Sequence, residues 1–202
     1  MADIEKIVEK ILHFEAGTPL GAPTPDPSSD ARNRRLFALA RRTGWSCDAL
    51  DSGGATMCGV TLAAYRAYRR RHSLPAPTAA MLRTITYEEW LDVLREGYWN
   101  RWRADAIASQ EVAEMLVDYV WASGVVGVKR PQRLLGVRAD GIVGPATLAA
   151  VASREPAALL ARLTDDRLRW VEDIVRRRPA QRKWLRGWRR RILMFGSALS
   201  AR

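Results

Sequence analysis

The sequence contains little cysteine and histidine and no long uninterrupted hydrophobic run. Two cysteines and two histidines occur among 202 residues, and neither His13 nor His72 stands at a recognised metal-ligand spacing from a cysteine. We therefore expect no metal site and no cofactor. The most apolar stretch, 112–128, is interrupted by Glu114 and Asp118 and falls short of the roughly 20 apolar residues of a membrane-spanning helix. This pattern predicts no stable membrane insertion.

Two further patterns are absent. Sustained alternation of apolar and polar residues does not occur, which argues against a large β-sheet, and no internal repeat is visible. Residues 1–5 have neither the basic segment nor the apolar core of a secretory signal peptide. We therefore expect synthesis in the cytoplasm without such a signal.

Positive charge is in excess. The chain has 33 Lys and Arg residues against 22 Asp and Glu residues, a net charge of +11, and the excess is nearly all arginine. Such an excess favours approach to an anionic polymer. A nucleic-acid-binding protein would share it, but no helix-turn-helix, zinc or RNA-binding signature is visible, so no nucleic acid is expected. Solvated helix faces explain any single arginine run equally well. The runs lie at 32–35, 69–71, 176–178 and 189–191.

Apolar spacing and capping residues predict a mainly α-helical chain. Thr86 and Glu89 form a capping box, and Pro145 and Pro156 stand at favoured first positions of helices. An extended proline-rich loop is expected at 18–30. The predicted helices are about 31–43, Thr61 to His72, Thr86 to about Trp102, Ser109 to Trp121, one from Pro145, one from Pro156 to before Pro179, and a final Trp- and Arg-rich helix.

The first predicted helix carries a carboxyl group in an unusual place. Glu15 falls within the apolar stripe when each residue turns the helix by about 100°. It also lies in the last turn before the helix stop at Gly17, at the negative end of the helix dipole. Burial and the dipole both favour the protonated form, as a general acid requires. If the helix instead ends at Leu12, Glu15 is a solvated loop residue. The stripe comprises Ile4, Ile7, Val8, Ile11 and Leu12.

A second unusual segment is 51–61, which has three glycines among short polar residues. It predicts a tight turn or small hairpin that lets backbone approach a ligand closely, and Thr61 then caps the next helix. Cys47 and Cys58 flank its Gly-Gly pair. A disulfide between them and two small buried thiols are the two alternatives.

Several of these segments together resemble the glycoside hydrolase family 108 muramidases, phage-type lysozyme relatives that occur as endolysins and secretion activators. The first two are Phe-Glu-Ala-Gly at 14–17 and Gly-Gly-Ala-Thr-Met-Cys-Gly-Val-Thr at 53–61. The others are Tyr98-Trp99, the 118–124 helix with its Asp and Ser-Gly, a segment at 132–148 that looks like the family's peptidoglycan-binding segment, and the final helix at 184–191.

The resemblance covers most of the chain outside residues 18–50 and implies a lysozyme-like helical fold with a small Gly-rich turn or hairpin at the active site. Region 1–125 would be catalytic, with 18–50 as an insertion, and 126–202 would be a helical peptidoglycan-binding segment packed on the same globular unit. The sequence departs from the family at Ala16, Ser52, Met57-Cys58 and Trp121, where the family usually has Gly, Pro, Asn-Lys and Asn.

Glycosidic bond hydrolysis requires a proton for the leaving oxygen and a nucleophile or activated water at the anomeric carbon. Glu15 is the predicted acid. Asp51 is the predicted partner because it opens the turn that the fold would place across the cleft. Asp48 and Asp26 compete with it, and a turn-initiating role would explain Asp51 equally well. In related phage lysozymes a turn threonine orients the water, and the resemblance gives Thr56 that role.

The sequence is also rich in aromatic residues, with eight tryptophans and five tyrosines. Sugar rings stack on aromatic faces, although core packing is the alternative for each residue. The predicted substrate-binding residues, on two helices that the family packs along the cleft, are Tyr98, Trp99, Tyr119 and Trp121.

The resemblance implies an N-acetylmuramidase that cleaves the β-1,4 bond between N-acetylmuramic acid and N-acetylglucosamine in peptidoglycan, aiding lysis or secretion. Its partners would be peptidoglycan glycan strands, with a holin or a secretion apparatus releasing it to the periplasm or cell wall. Two alternatives remain open. One is a non-catalytic peptidoglycan-binding or secretion-accessory protein that kept the fold, and the other is an arginine-rich nucleic-acid-binding protein.

Overall fold

The computed structural model describes residues 1–21, 29–47 and 54–197, and it is mainly helical with one small antiparallel sheet. This confirms the predicted fold class. The chain divides into two compact units. The N-terminal unit comprises Asp3–Asn100, and the C-terminal unit comprises Arg101–Arg202 together with Met1–Ala2. Throughout the described ranges, the helices are too short or too polar to cross a membrane.

The N-terminal unit begins with α1 (Glu5–Ala16), which buries its apolar stripe and ends at Gly17 in the left-handed conformation, with φ of 71°. The helix therefore extends past Leu12 and includes Glu15, as the apolar spacing predicts. The alternative of a solvated loop at this position is wrong. Helix α2 (Ser29–Ala40) packs against α1, and Asn33 ties the two together by donating to the backbone carbonyl of Glu5 over 2.9 Å.

Three short strands, β1 (Trp45–Cys47), β2 (Ala55–Met57) and β3 (Val60–Thr61), form the sheet, with β2 in the centre and both pairings antiparallel. A two-residue turn joins β2 to β3, so the predicted hairpin is confirmed. The register places Thr56 opposite Ser46 on one side and Thr61 on the other. These three hydroxyl side chains therefore share one face of the sheet.

The remaining helices of the N-terminal unit are α3 (Leu62–Arg71), α4 (Ala79–Arg83) and α5 (Tyr87–Leu94). Thr61 caps α3, and the predicted capping box of Thr86 and Glu89 starts α5. The prediction that this last helix runs on to about Trp102 is wrong, because a π-helical turn, Arg95–Trp99, follows α5. Gly97 lies inside this turn, and glycine resists a departure from α-helical geometry less than other residues.

The C-terminal unit is built from α6 (Gln110–Ser123), α7 (Val126–Leu135), α8 (Pro145–Ala152), α9 (Pro156–Arg177) and α10 (Arg182–Gly196). Residues 112–120 of α6 are all buried, so this helix forms the centre, and α7, α9 and α10 pack around it. Ser109 caps α6 and prolines begin α8 and α9, as predicted from the sequence.

Candidate functional site

Glu15 lies on the last turn of α1, and its side chain is half-buried. Its carboxyl group sits directly against the backbone of Gly59 in the turn of the hairpin. A Cβ atom added to Gly59 would lie 2.6 Å from Cδ of Glu15 and 2.7 Å from its Oε2. Any side chain at position 59 would therefore displace the carboxyl group.

The backbone conformation of the turn also favours glycine at position 59. Cys58 and Gly59 both have positive φ angles, 47° and 80°, which is the pattern of a type I′ turn between two strands. The turn is fixed from outside by two hydrogen bonds. The indole N–H of Trp90 donates to the Cys58 carbonyl over 3.0 Å, and the Cys58 N–H donates to the Gly44 carbonyl over 2.8 Å. The surface on which Glu15 rests is therefore well determined.

The chain that follows α2 joins the same cluster. The Thr43 hydroxyl donates to the Ala16 carbonyl over 2.7 Å, next to Glu15 in the chain. Gly44 leaves no room for a side chain, since a Cβ there would lie 2.7 Å from Sγ of Cys58 and 3.2 Å from Cβ of Ala16. The end of α1, the segment after α2 and the hairpin turn thus meet in close contact around Glu15.

The pKa of the Cys58 thiol reflects the burial and the charges of this cluster. Burial raises the pKa of Cys58 to about 12, the negative charge of Glu15 raises it as well, and the positive charge of Arg41 opposes them. Cys58 is therefore a neutral thiol at physiological pH. Cys47 is exposed on β1, and both cysteines are free, so the structure contains no disulfide between them. Of the two thiols, only Cys58 is buried.

Thr56 is half-buried at the centre of β2, whereas its neighbours Ala55 and Met57 point to the other face and are buried. Its hydroxyl therefore lies on the accessible face of the sheet, in the strand that leads into the turn beneath Glu15. The predicted partner Asp51 and its competitors Asp48 and Asp26 lie outside the described residues. Within the described ranges, no group of three or more His, Cys, Asp and Glu side chains is placed to hold a metal ion.

Two of the four aromatic residues predicted to bind substrate have no exposed surface. Trp99 and Tyr119 are both 0% exposed, so neither offers a ring face to a sugar. Tyr119 instead packs against Trp170 and lies with its hydroxyl 3.4 Å from a carboxylate oxygen of Asp166. Apolar helix positions serve the core here, which is the alternative that the sequence left open. Tyr98 and Trp121 are half-buried and keep part of their surface accessible.

The C-terminal unit contains a buried ion triad that the sequence did not reveal. Asp118 on α6 has 0% exposure and contacts Arg167 of α9 and Arg191 of α10, each at 2.7 Å. Burial by itself would raise the pKa of Asp118, but the two guanidinium charges outweigh it and hold the pKa below its usual range. The carboxylate is therefore ionised, and it joins three helices.

A pocket of about 180 Å³ lies beside this triad in the C-terminal unit. Trp170 and Trp188, both half-buried, contribute aromatic surface to it, and two arginines contribute charge. The sequence signal that could have indicated the pocket is Trp188, in the final helix that resembles the family. The lining residues are Ala122, Arg167, Trp170, Val171, Ile174, Trp188, Arg191 and Ile192.

A mainly helical fold with a small hairpin beside a half-buried glutamate defines the class of lysozyme-like glycoside hydrolases. Comparison with known families agrees: residues 37–124 match the family model of glycosyl hydrolase 108, and residues 126–193 match that of the predicted peptidoglycan domain. The N-terminal match is thus to a glycoside hydrolase family, and the C-terminal match is to a domain predicted to act on peptidoglycan. Glu15 precedes the matched range, so its role depends on the geometry described above.

The structure of SagA from Brucella abortus is similar to this chain, with a TM-score of 0.59 and 28% sequence identity. The alignment covers 82% of this chain and 98% of SagA. A search of curated proteins found no match.

Proposed function

We propose that the protein is an N-acetylmuramidase that cleaves the β-1,4 bond between N-acetylmuramic acid and N-acetylglucosamine in peptidoglycan. The observation that carries the proposal is the Glu15 carboxyl group, half-buried at a helix end and held against Gly59. A carboxyl group in this position can give its proton to the leaving glycosidic oxygen. Both family matches support a glycoside hydrolase that acts on peptidoglycan.

Thr56 and Asp51 complete the proposed chemistry. The Thr56 hydroxyl would orient the attacking water from the accessible face of the sheet. Asp51 would stabilise the positive charge that develops at the anomeric carbon, or would activate the water. Carboxyl groups about 5–5.5 Å apart favour retention of configuration and groups about 6.5–9.5 Å apart favour inversion.

Product analysis tests the activity itself. Purified sacculi would be digested with the protein, the new reducing ends reduced with borohydride, and the products separated and weighed by mass spectrometry. A muramidase gives fragments that end in reduced N-acetylmuramic acid. Fragments that end in reduced N-acetylglucosamine would assign a different glycosidase, and no new reducing ends would leave a non-catalytic wall-binding protein.

The C-terminal unit is proposed to hold peptidoglycan, with a sugar ring stacked between Trp170 and Trp188. We expect Trp188→Ala to weaken co-sedimentation with sacculi by about fivefold or more, since stacking on aromatic rings is lost. Trp184→Ala is the matched control, because Trp184 lies on the same helix, is 54% exposed and does not line the pocket. Equal sedimentation of the two variants would rule out this pocket.

The proposed place of action is the periplasm or cell wall. A holin or a secretion apparatus would provide release. Co-expression with and without such a release system, followed by measurement of lysis from within, tests this part of the proposal.

A further inference from the structure

A groove of about 360 Å³ on the N-terminal unit contains three arginines. Arg41 and Arg42 follow the end of α2, and Arg83 is the last residue of α4, so different elements direct these cations to one place. Met57 of the hairpin lines the groove as well, on the face of β2 opposite to Thr56. The lining residues are Ala38, Arg41, Arg42, Met57, Arg83 and Thr84.

The groove arginines differ in their partners from three other arginines of the same unit. Arg32, Arg69 and Arg71 contact Glu9, Glu89 and Glu96 at 2.7, 3.3 and 2.9 Å. In the part of the chain that the structure describes, no carboxylate lies within ion-pair distance of Arg41, Arg42 or Arg83. Three exposed cations that share a groove and have no carboxylate partner among the described residues repel one another, and an anionic ligand would relieve that repulsion.

One of these arginines is oriented by an aromatic contact. The guanidinium of Arg83 lies over the Trp45 ring, 5.6 Å from its centroid, in cation–π contact. This contact restricts the side chain while its N–H groups remain available to a ligand. A restricted arginine loses less conformational entropy when it binds a carboxylate than a freely rotating one.

The groove also lies beside the Glu15 cluster. Arg41 and Glu15 act on the same thiol, Cys58, with opposite effects on its pKa, so both lie close to the hairpin turn. Thr43 comes directly after Arg42 in the chain, and its hydroxyl donates to the carbonyl of Ala16, the neighbour of Glu15. A polymer bound across Glu15 would therefore place its substituents within reach of this groove.

We propose that the arginine groove binds the carboxylates of the peptide stems that peptidoglycan carries along its glycan strands. This inference rests on the function proposed above and names the feature of the substrate that the site selects. Peptide stems carry free carboxylates, whereas a polymer of N-acetylglucosamine alone is neutral. Guanidinium groups bind carboxylates through paired N–H donors, so the groove distinguishes these two polymers.

The test compares two double variants on two forms of one substrate. Arg42→Gln/Arg83→Gln removes two charges from the groove. Arg66→Gln/Arg70→Gln removes two exposed charges from α3 in the same unit and is the matched control. Natural sacculi and sacculi whose carboxylates have been converted to amides are the substrates. Amidation leaves any wall phosphate unchanged, so a difference between the two substrates can be attributed to the carboxylates.

On natural sacculi we expect the groove variant to raise KM about threefold to tenfold with kcat within twofold, and the control to match the parent. Amidation should raise the KM of the parent by a similar factor and leave the groove variant nearly unaffected. Co-sedimentation at physiological salt should show the same pattern in binding, a readout that does not require turnover.

Two results would overturn the inference. One is a groove variant that binds natural sacculi as the control does, and the other is a parent protein that binds amidated and natural sacculi equally. The proposed function fails separately, by the absence of new reducing ends. In that case sedimentation still decides whether the groove recognises carboxylates.

Discussion

The two compact units use carboxyl groups in opposite ways. In the C-terminal unit, Asp118 has no exposed surface and is held by Arg167 and Arg191 at 2.7 Å. In the N-terminal unit, Glu15 is half-buried and rests on the backbone of Gly59, where a side chain would not fit. Both carboxyl groups belong to segments that resemble the family.

This difference separates the structural role of Asp118 from the proton-donor role proposed for Glu15. A carboxylate enclosed by two guanidinium groups is kept ionised and away from substrate, so Asp118 joins helices and cannot donate a proton. A carboxyl group that lies on a glycine backbone with part of its surface accessible can reach a ligand. Resemblance to a family motif gives no such distinction, because both residues stand in matching segments.

The largest effect is expected from Asp118→Asn. The change leaves the buried guanidinium of Arg167 and the half-buried guanidinium of Arg191 facing a neutral amide, and breaking a buried ion pair in this way costs about 3–5 kcal/mol. Urea unfolding of the protein, monitored by tryptophan fluorescence, measures the loss in free energy of unfolding. Asp173→Asn is the control, because it removes an exposed pair with Arg176 on the same long helix and should change stability by less than about 1 kcal/mol. Equal losses in the two variants would contradict the structural role of the triad.

Gly59→Ala should have the next largest effect, and it acts on activity more than on stability. The new Cβ would lie 2.6 Å from Cδ of Glu15 and push the carboxyl group aside. A displacement of about 1 Å can lower turnover by about a hundredfold. Gly54→Ala is the matched control, since Gly54 also has a positive φ, 62°, but among the described residues no atom lies within 4 Å of its Cβ position. Dye release from labelled sacculi should fall strongly for Gly59→Ala only. Similar activity in both variants would mean that the contact with Glu15 has no role.

A smaller effect is expected at Asp51, the proposed second catalytic residue. If Asp51 stabilises the developing charge, Asp51→Asn should lower kcat at least about tenfold with little change in wall binding, because that interaction strengthens only in the transition state. Asp26→Asn and Asp48→Asn should then be nearly silent. A larger loss of kcat for Asp26→Asn would assign the role of second carboxylate to Asp26, within the insertion. An unchanged kcat in all three Asp variants, together with a lower kcat for Thr56→Val, would indicate that Glu15 acts with a water molecule that Thr56 positions.

Local signals in the sequence predicted much of the fold. The apolar spacing from Ile4 to Leu12 and the stop at Gly17 correctly extended α1 through Glu15. Caps at Thr61, Thr86 and Ser109 predicted the starts of three helices. These signals succeed because helix ends depend on backbone groups within one turn of the capping residue.

Features that depend on distant contacts were not predicted. Nothing near Asp118 in the sequence indicates that Arg167 and Arg191, on two other helices, enclose it. The contact between Gly59 and Glu15 likewise requires the tertiary fold. Trp99 and Tyr119 fill the core because an apolar helix position looks the same in sequence whether it faces the core or a ligand. The predicted division at 125/126 stays a prediction.

The most direct test of the central claim is the rate of dye release from labelled sacculi by Glu15→Gln. The substitution keeps the shape of the side chain and removes its acidic proton. We therefore expect the rate to fall at least about a hundredfold while the free energy of unfolding stays unchanged. Glu9→Gln, on the same helix and paired with Arg32 at 2.7 Å, should keep nearly full activity. Activity of Glu15→Gln within a few-fold of the parent would contradict the assignment of Glu15 as the proton donor.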